Sequence, residues 1–294
     1  MSISRQNLTI LIVSFKSEKV IHECIKSIDN DIKILVVDNS NDYKLKKELE
    51  NRYNNVSCIL SEKNLGMGAG NNLGLKKIKS DYVFILNPDV ILDSDTINEL
   101  IEASKKLESF SIIAPIETNK NYPNYKLKKN FDELKDEINP FDVQSVDGCA
   151  MLLNLKRFNF TKESNYFDEN FFMYLENDDL CMRIKNENEK IFVIPKSKIH
   201  HLGGKAVNEN FKDEIELSRN WHWIWSKFYF NKKHKSFLFA LVSGLPSFLS
   251  ALSKFLFYFF SSNKMKKNIY LNRMNGFIAA FLGKPAFYRP KIKN

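Results

Sequence analysis

The sequence predicts an α/β protein with a mostly parallel, doubly wound sheet, ending in a basic, apolar helical segment that associates with membrane. Three observations carry this. Apolar runs of strand length alternate with helical spacing through the first ninety residues. Carboxylates stand immediately after two of those runs, at Asp38 and Asp89. No acidic residue follows Glu216.

Residues 8–15 (LTILIVSF) form an unbroken apolar run, the pattern of a parallel strand covered on both faces. Residues 17–28 place Val20, Ile21, Cys24, Ile25 and Ile28 at helical spacing. A second strand, 32–37, ends on Asp38; a charged helix over 42–54 and a third strand over 56–60 follow. The stretch 64–74 is glycine-rich and leads into a helical 75–79. Residues 82–86 make a fourth strand that ends at Asn87-Pro88-Asp89. From about 117 to 140 the chain is polar, rich in Lys and Asn, and reads as a variable loop; order returns over 146–155 and 167–184. In doubly wound sheets the ligand crevice lies at the carboxyl ends of the strands, which is where Asp38 and Asp89 fall.

At 294 residues, 44% of them hydrophobic, the chain can build a large core, which argues against disorder. Cys24, Cys58, Cys149 and Cys181 are scattered, with no paired-cysteine motif, and read as buried thiols of a reducing compartment. The N-terminal apolar run is too short for a secretory signal and no small-residue cleavage site follows, so a cytoplasmic location is expected. The net charge of +9 is unevenly placed: fourteen Lys and Arg follow Glu216, while the remainder carries thirty bases against thirty-five acids. An acidic globule with a wholly basic tail implies a polyanionic partner. No recognised nucleic-acid motif accompanies the charge, so an anionic membrane surface is expected and nucleic acid is not.

Five motifs carry chemistry. Asp38, in VVDNS, could accept from a base or ribose or help to hold a metal; Asp-Asn-Ser also favours a turn or helix cap. The block NLGMGAGNNLG, residues 64–74, offers close backbone approach and free amides for phosphate, although it does not match the dinucleotide fingerprint. Asp89, stiffened by Pro88, suits a hard divalent cation bridging diphosphate oxygens, with an ordinary turn as the alternative. In FDENFFMYLENDDLCMR, residues 167–183, acids interleave with aromatic and apolar residues. Such crowding is costly unless the acids bind a cation, share protons or face a cleft. His200 and His201 point different ways, so at most one serves the site, just before a glycine pair.

In this order LIVSF, VVDNS, NLGMGAGNNLG, LNPD, VDGCAMLL, FDENFFMYLENDDLCMR and HHLGG resemble glycosyltransferase family 2, most closely its bacterial rhamnosyltransferase-like branch. The matching pieces span roughly residues 8 to 205. The resemblance implies a GT-A-type fold and direct displacement with inversion of the anomeric centre. It implies that Asp38 contacts the nucleotide of a dTDP-, UDP- or GDP-sugar. Asn64, Gly66, Gly70 and Asn71 would line the donor pocket with Asn87 and Gly148. Asp89 and His201 would hold Mg²⁺ or Mn²⁺, with His200 as the fallback. Asn87 stands where many relatives carry an Asp, which leaves the metal site one charge short.

Inversion needs a carboxylate that takes the acceptor's proton. Relatives use the Asp of a Glu-Asp pair, but this chain has Glu176-Asn177, and Asn cannot serve. Glu176, Asp179 and Asp178 remain as candidates, the first two preferred. The expected activity moves rhamnose or another hexose to a saccharide or lipid-linked acceptor in cell-surface polysaccharide synthesis. Two rivals are a nucleotidyltransferase, for which the N-terminus lacks a basic glycine-rich loop, and a non-catalytic sugar- or partner-binding relative, favoured by Asn87 and Asn177.

Residues 237–260 supply 24 largely apolar positions, interrupted by Gly244, Pro246 and Lys254, enough for the roughly 20 residues that a bilayer span needs. Lys232, Lys233 and Lys235 precede them and Lys264, Lys266 and Lys267 follow, so a single crossing would put one basic cluster on the disfavoured side. Ser247, Ser250, Ser253 and Lys254 share one helical face. An in-plane or re-entrant hairpin on the cytoplasmic face of the inner membrane, peripheral or monotopic, is therefore expected. The expected domains are 1–218, catalytic, and 219–294, membrane-associating.

Overall fold

A computed structural model describes residues 2–127, 138–158, 166–203, 207 and 209–292. Gly204 of the HHLGG motif and residues 128–137 of the polar stretch lie outside the described residues. Two compact units divide the chain: Met1–Asp168 with Asn177–Asn208, and Glu169–Glu176 with Glu209–Asn294.

In the first unit, β1 (Leu8–Ser14), β2 (Lys33–Asp38), β3 (Val56–Leu60) and β4 (Tyr82–Leu86) run parallel. They belong to a nine-stranded sheet of order β3-β2-β1-β4-β10-β6-β11-β5, with β8 (Phe141–Asp142) beside β11. The other members are β5 (Val90–Leu92), β6 (Ile112–Glu117), β10 (Ala150–Asn154) and β11 (Ile191–His201). A separate ladder joins β7 (Tyr125–Lys126), inside the stretch expected to be loop, to β9 (Ser145–Val146) beyond it. The helices of this unit are α1 (Ile21–Lys26), α2 (Tyr43–Arg52), α3 (Met67–Leu75), α4 (Thr96–Lys106) and, from its second residue on, α5 (Glu176–Asn186).

All seven residues of β1 are buried because both faces of the sheet are covered. Ile10, Ile12, Val36 and Phe84 pack with Ile21, Cys24 and Leu100 on one face. Leu11, Val13, Val37 and Ile85 pack with Leu75, Leu180 and Ile184 on the other. The period-2 alternation of side chains explains this division. Each such fully buried aliphatic or aromatic side chain contributes about 1.5–3 kcal/mol. Strand β10 lies antiparallel between β4 and β6. Its AMLLN run is apolar in either direction, so its sense was not legible in the sequence.

The helix expected over 75–79 lies instead within the glycine-rich stretch, as α3 (Met67–Leu75). Gly66, at φ 82°, turns the chain into α3. A Cβ on Gly70 would meet Val13 Cγ1 at 2.8 Å, and one on Gly74 would meet Leu11 Cδ1 at 2.3 Å. These two glycines let α3 lie flush against β1.

The second unit contains α6 (Lys212–His234), α7 (Phe237–Phe259) and α8 (Lys264–Phe281). The expected boundary at 218/219 falls inside α6, because Ile215 and Ser218 continue the buried stripe that runs on through His222 and Trp225. Trp221, Trp225 and Phe228 of α6 pack with Ala240 of α7 and Phe277 and Ala280 of α8. Helix α7 is capped by Ser236, whose Oγ accepts from Phe239 N at 3.1 Å, and it continues unbroken through Pro246. Its outward residues Leu238, Val242, Leu245, Leu249 and Leu256 form one exposed apolar stripe.

Candidate active site

The site is built where β4 and β11 end. Asp89 follows β4 and is only 2% exposed; its backbone carbonyl accepts from Leu202 N at 3.0 Å. His201 closes β11, pairs with Val90, and donates its backbone N–H to Glu117 Oε2 at 2.7 Å. These two anchors set His201 Nε2 3.3 Å from Asp89 Oδ1. The Asp89 carboxylate raises the His201 imidazole to about 10, and a hydrogen bond with the Cys149 thiol adds to this. No well-directed hydrogen bond reaches Asp89 Oδ1, although it is buried. A buried carboxylate oxygen lacking a directed donor, beside an imidazole nitrogen, fits a cation.

Among the described residues no group of three or more His, Cys, Asp or Glu is close enough to hold a metal alone. Asp89 and His201 therefore suit a Mg²⁺ or Mn²⁺ that completes its shell with diphosphate oxygens and water, as such ions commonly do. The adjacent His200 points away: its Nε2 lies 2.9 Å from Asp93 Oδ1 and its Nδ1 is 2.8 Å from Thr118 Oγ1. Asn87 is held by its backbone N–H, which donates to Cys149 O at 2.8 Å, and its Oδ1 is buried without a hydrogen bond.

Asp38 takes the turn arrangement that Asp-Asn-Ser also favours. It is fully buried, with Oδ1 accepting from Ser14 Oγ at 3.0 Å and Oδ2 from Asp42 N at 2.8 Å. Its carboxylate holds the turn that follows β2. Gly70, expected to line a donor pocket, faces the sheet. Asn64 Oδ1 accepts from Gly66 N at 3.1 Å, shaping the approach to α3. Asn71 is 3% exposed, and its Oδ1 is buried with no hydrogen bond.

The acids of α5 fare unequally. Asp179 is 0% exposed and paired with Arg183 Nε at 2.9 Å. Arg183 Nη2 also donates to the Tyr166 carbonyl, so this ion pair ties α5 to the preceding chain. Asp178 accepts from Lys126 Nζ at 2.7 Å and from Ser145 Oγ at 2.9 Å. Asn177 donates from Nδ2 to Val146 O at 2.9 Å, and a Cβ on Gly148 would touch Asn177 Cβ at 3.4 Å. Glu176, the first residue of α5, is 9% exposed.

Sequence reasoning missed several residues. Asp147 interacts electrostatically with Lys126, Asp178 and His201, and surrounding protein raises its carboxyl above the usual range although the side chain reaches solvent. The signal was present in VDGCAM, an acid beside the glycine that opens an apolar strand. Asn39 donates from Nδ2 to Gly66 O at 3.0 Å, and Asn72 makes reciprocal bonds of 2.8 and 3.0 Å with the Phe167 backbone. Such long-range pairs carry no local sequence signature.

A mostly parallel sheet with an acid and a histidine converging at its strand ends is the arrangement of GT-A-type proteins. Solved structures agree on the fold. GalNAc-T7, described with UDP, GalNAc and Mn²⁺, superposes with a TM-score of 0.54 at 16% identity, over 66% of this chain and 42% of its own. The mannosyltransferase PcManGT of Pyrobaculum calidifontis, described with GDP-Man and Mn²⁺, gives 0.56 at 10% identity, over 95% and 88%.

The chain belongs to glycosyl transferase family 2, whose model matches residues 9–174, more than half of its length. It is 30% identical over 213 residues to the rhamnosyltransferase WbbL of Escherichia coli, covering 63% of this chain and 80% of that protein. It is 28% identical over 201 residues to the low-salt glycan biosynthesis hexosyltransferase Agl10 of Haloferax volcanii, covering 63% of this chain. The chain spans 64% of the length of Agl10 and 42% of that of GalNAc-T7.

Proposed function

We propose that this chain is an inverting glycosyltransferase that moves a hexose, rhamnose or another deoxyhexose among the candidates, from a nucleoside diphosphate to a saccharide or lipid-linked acceptor. The observation that carries this reading is the Asp89–His201 pair at the carboxyl ends of β4 and β11. Relatives with hexosyl- and rhamnosyltransferase names support the sugar class, and neighbours described with nucleotides and Mn²⁺ support the cofactor.

Asp89 and His201 would hold the divalent cation, whose contribution is to neutralise charge that develops on the leaving diphosphate. The turn held by Asp38 and Asn39, with Asn64, Gly66 and Asn71, flanks the nucleotide. Asn87 and Gly148 shape the donor side beside Asp89. Among the three candidate bases, Asp179 is committed to Arg183 and Asp178 to Lys126 and Ser145. Glu176, which heads α5 and matches an acidic position of the family motif, is the base in this reading: it takes the acceptor hydroxyl's proton as the oxygen attacks the anomeric carbon and the diphosphate leaves.

The apolar stripe of α7, on a helix only 11% buried over its most apolar window, supports attachment to an anionic leaflet together with the acid-free basic tail. Ser250, Ser253 and Lys254 on the outward side favour an in-plane helix over a span.

The test is thermal unfolding with dTDP, UDP and GDP, each with and without Mn²⁺. One nucleotide should raise the midpoint in a Mn²⁺-dependent manner. No shift with any of the three, joined to absence of donor hydrolysis, refutes the enzyme reading. For attachment, carbonate should leave the chain in the membrane pellet; release by salt alone would mean adhesion without insertion.

A further inference from the structure

We propose that helix α6 and the C-terminal tail are positioning elements for Glu176. The inference rests on the reading of Glu176 as the base. Tyr174 and Leu175, at φ 72° and 67°, are successive left-handed residues with side chains, and Glu176 follows at once. Side-chain residues persist there only where their surroundings over-determine the conformation.

The 169–176 segment groups with the C-terminal helices. Ser226 Oγ donates to the Met173 carbonyl at 2.8 Å, fixing the backbone just ahead of the strained pair. Phe172, 3% exposed, lies between the His222 ring at 4.6 Å and the Arg289 guanidinium at 3.7 Å from its centroid. Tyr174 meets Trp223 edge-on at 5.5 Å. His222, Trp223 and Ser226 stand on one side of α6 at i, i+1 and i+4, so a single helix sets the backbone and two rings together. Arg289 supplies the second wall from the tail. A misplacement of about 1 Å at a reacting group can cost a hundredfold in rate, so a hold of this kind has a measurable consequence.

The test uses hydrolysis of dTDP-rhamnose, UDP-galactose or GDP-mannose, whichever the full-length chain turns over, with Ser226→Ala/Arg289→Gln and Leu175→Gly compared. In the double variant kcat should fall tenfold or more, with donor KM within twofold, and Arg289→Lys should restore most of the rate. Hydrogen exchange across 172–177 should quicken. Leu175→Gly relieves the steric cost, so its unfolding midpoint should hold or rise while kcat falls. A kcat within twofold of the parent in both variants overturns the proposal, as does a KM that rises while kcat is kept. If the double variant does not fold, Leu175→Gly decides alone. Full activity in Glu176→Gln would sink the base reading itself, a result distinct from failure of the positioning contacts.

Discussion

The Oδ1 atom of Asp89 lies 3.3 Å from Nε2 of His201, although 112 residues of chain separate them. The pair forms because β5 and β11 run antiparallel, with His201 beside Val90, the residue after Asp89. Pro88 and the Leu202 amide fix the Asp89 backbone, and Glu117 fixes that of His201.

Replacing Asp89 by Asn should therefore remove the Mn²⁺-dependent stabilisation by nucleotide and lower turnover on the order of a hundredfold or more. His201→Ala should behave alike. His200→Ala, whose ring faces Asp93 and Thr118, should stay within threefold. Nucleotide-dependent unfolding and donor turnover, measured on all three variants, check this.

Arg183→Ala should destabilise the first unit by about 3–5 kcal/mol, since it leaves the Asp179 carboxylate buried without its cation. Turnover per folded molecule should change far less than in Glu176→Gln. Urea unfolding followed by active-site titration separates the two effects.

Gly276→Ala should cost about 1–3 kcal/mol, because its Cβ would meet the Trp221 carbonyl oxygen at 2.4 Å, a backbone atom that cannot swing aside. Gly283→Ala removes a glycine with nothing within 4 Å of the added carbon, so its cost reflects only the positive φ of 69°. Midpoints of thermal unfolding should rank the two accordingly.

The pH dependence of the second unit should carry the mark of His222. Burial, aided by the positive charge of Arg289, lowers its imidazole to about 4, while Nε2–H donates to Tyr288 O at 2.8 Å. An unfolded histidine titrates near 6.5, so below that pH the unfolded chain takes up a proton that the folded one refuses. Stability is complete above pH 6.5 and declines as the pH falls toward 4, by on the order of 3 kcal/mol. His222→Gln should flatten that slope in urea titrations between pH 4 and 7.

Much of the fold was legible in the sequence. Strands over 56–60 and 82–86 fall where the apolar runs place them, and α7 fills the expected 237–260 to within a residue. The helix expected over 75–79 lies instead at Met67–Leu75, because Gly70 and Gly74 serve contact with Val13 and Leu11, which only packing reveals. The expected boundary at 218/219 falls within α6, which takes its first two turns from a stretch whose burial is tertiary.

The sequence by itself determined the layered α/β architecture, the family and the acids from which a site is drawn, since periodicity and motif order are local properties of the chain. Only the tertiary structure decided which of those acids are occupied. Asp38 is spent on Ser14 and Asp42, Asp179 on Arg183, and Asp178 on Lys126. Asp89 instead meets His201. A carboxylate's role depends on which partners reach it in space, and those partners lie up to 112 residues away in sequence.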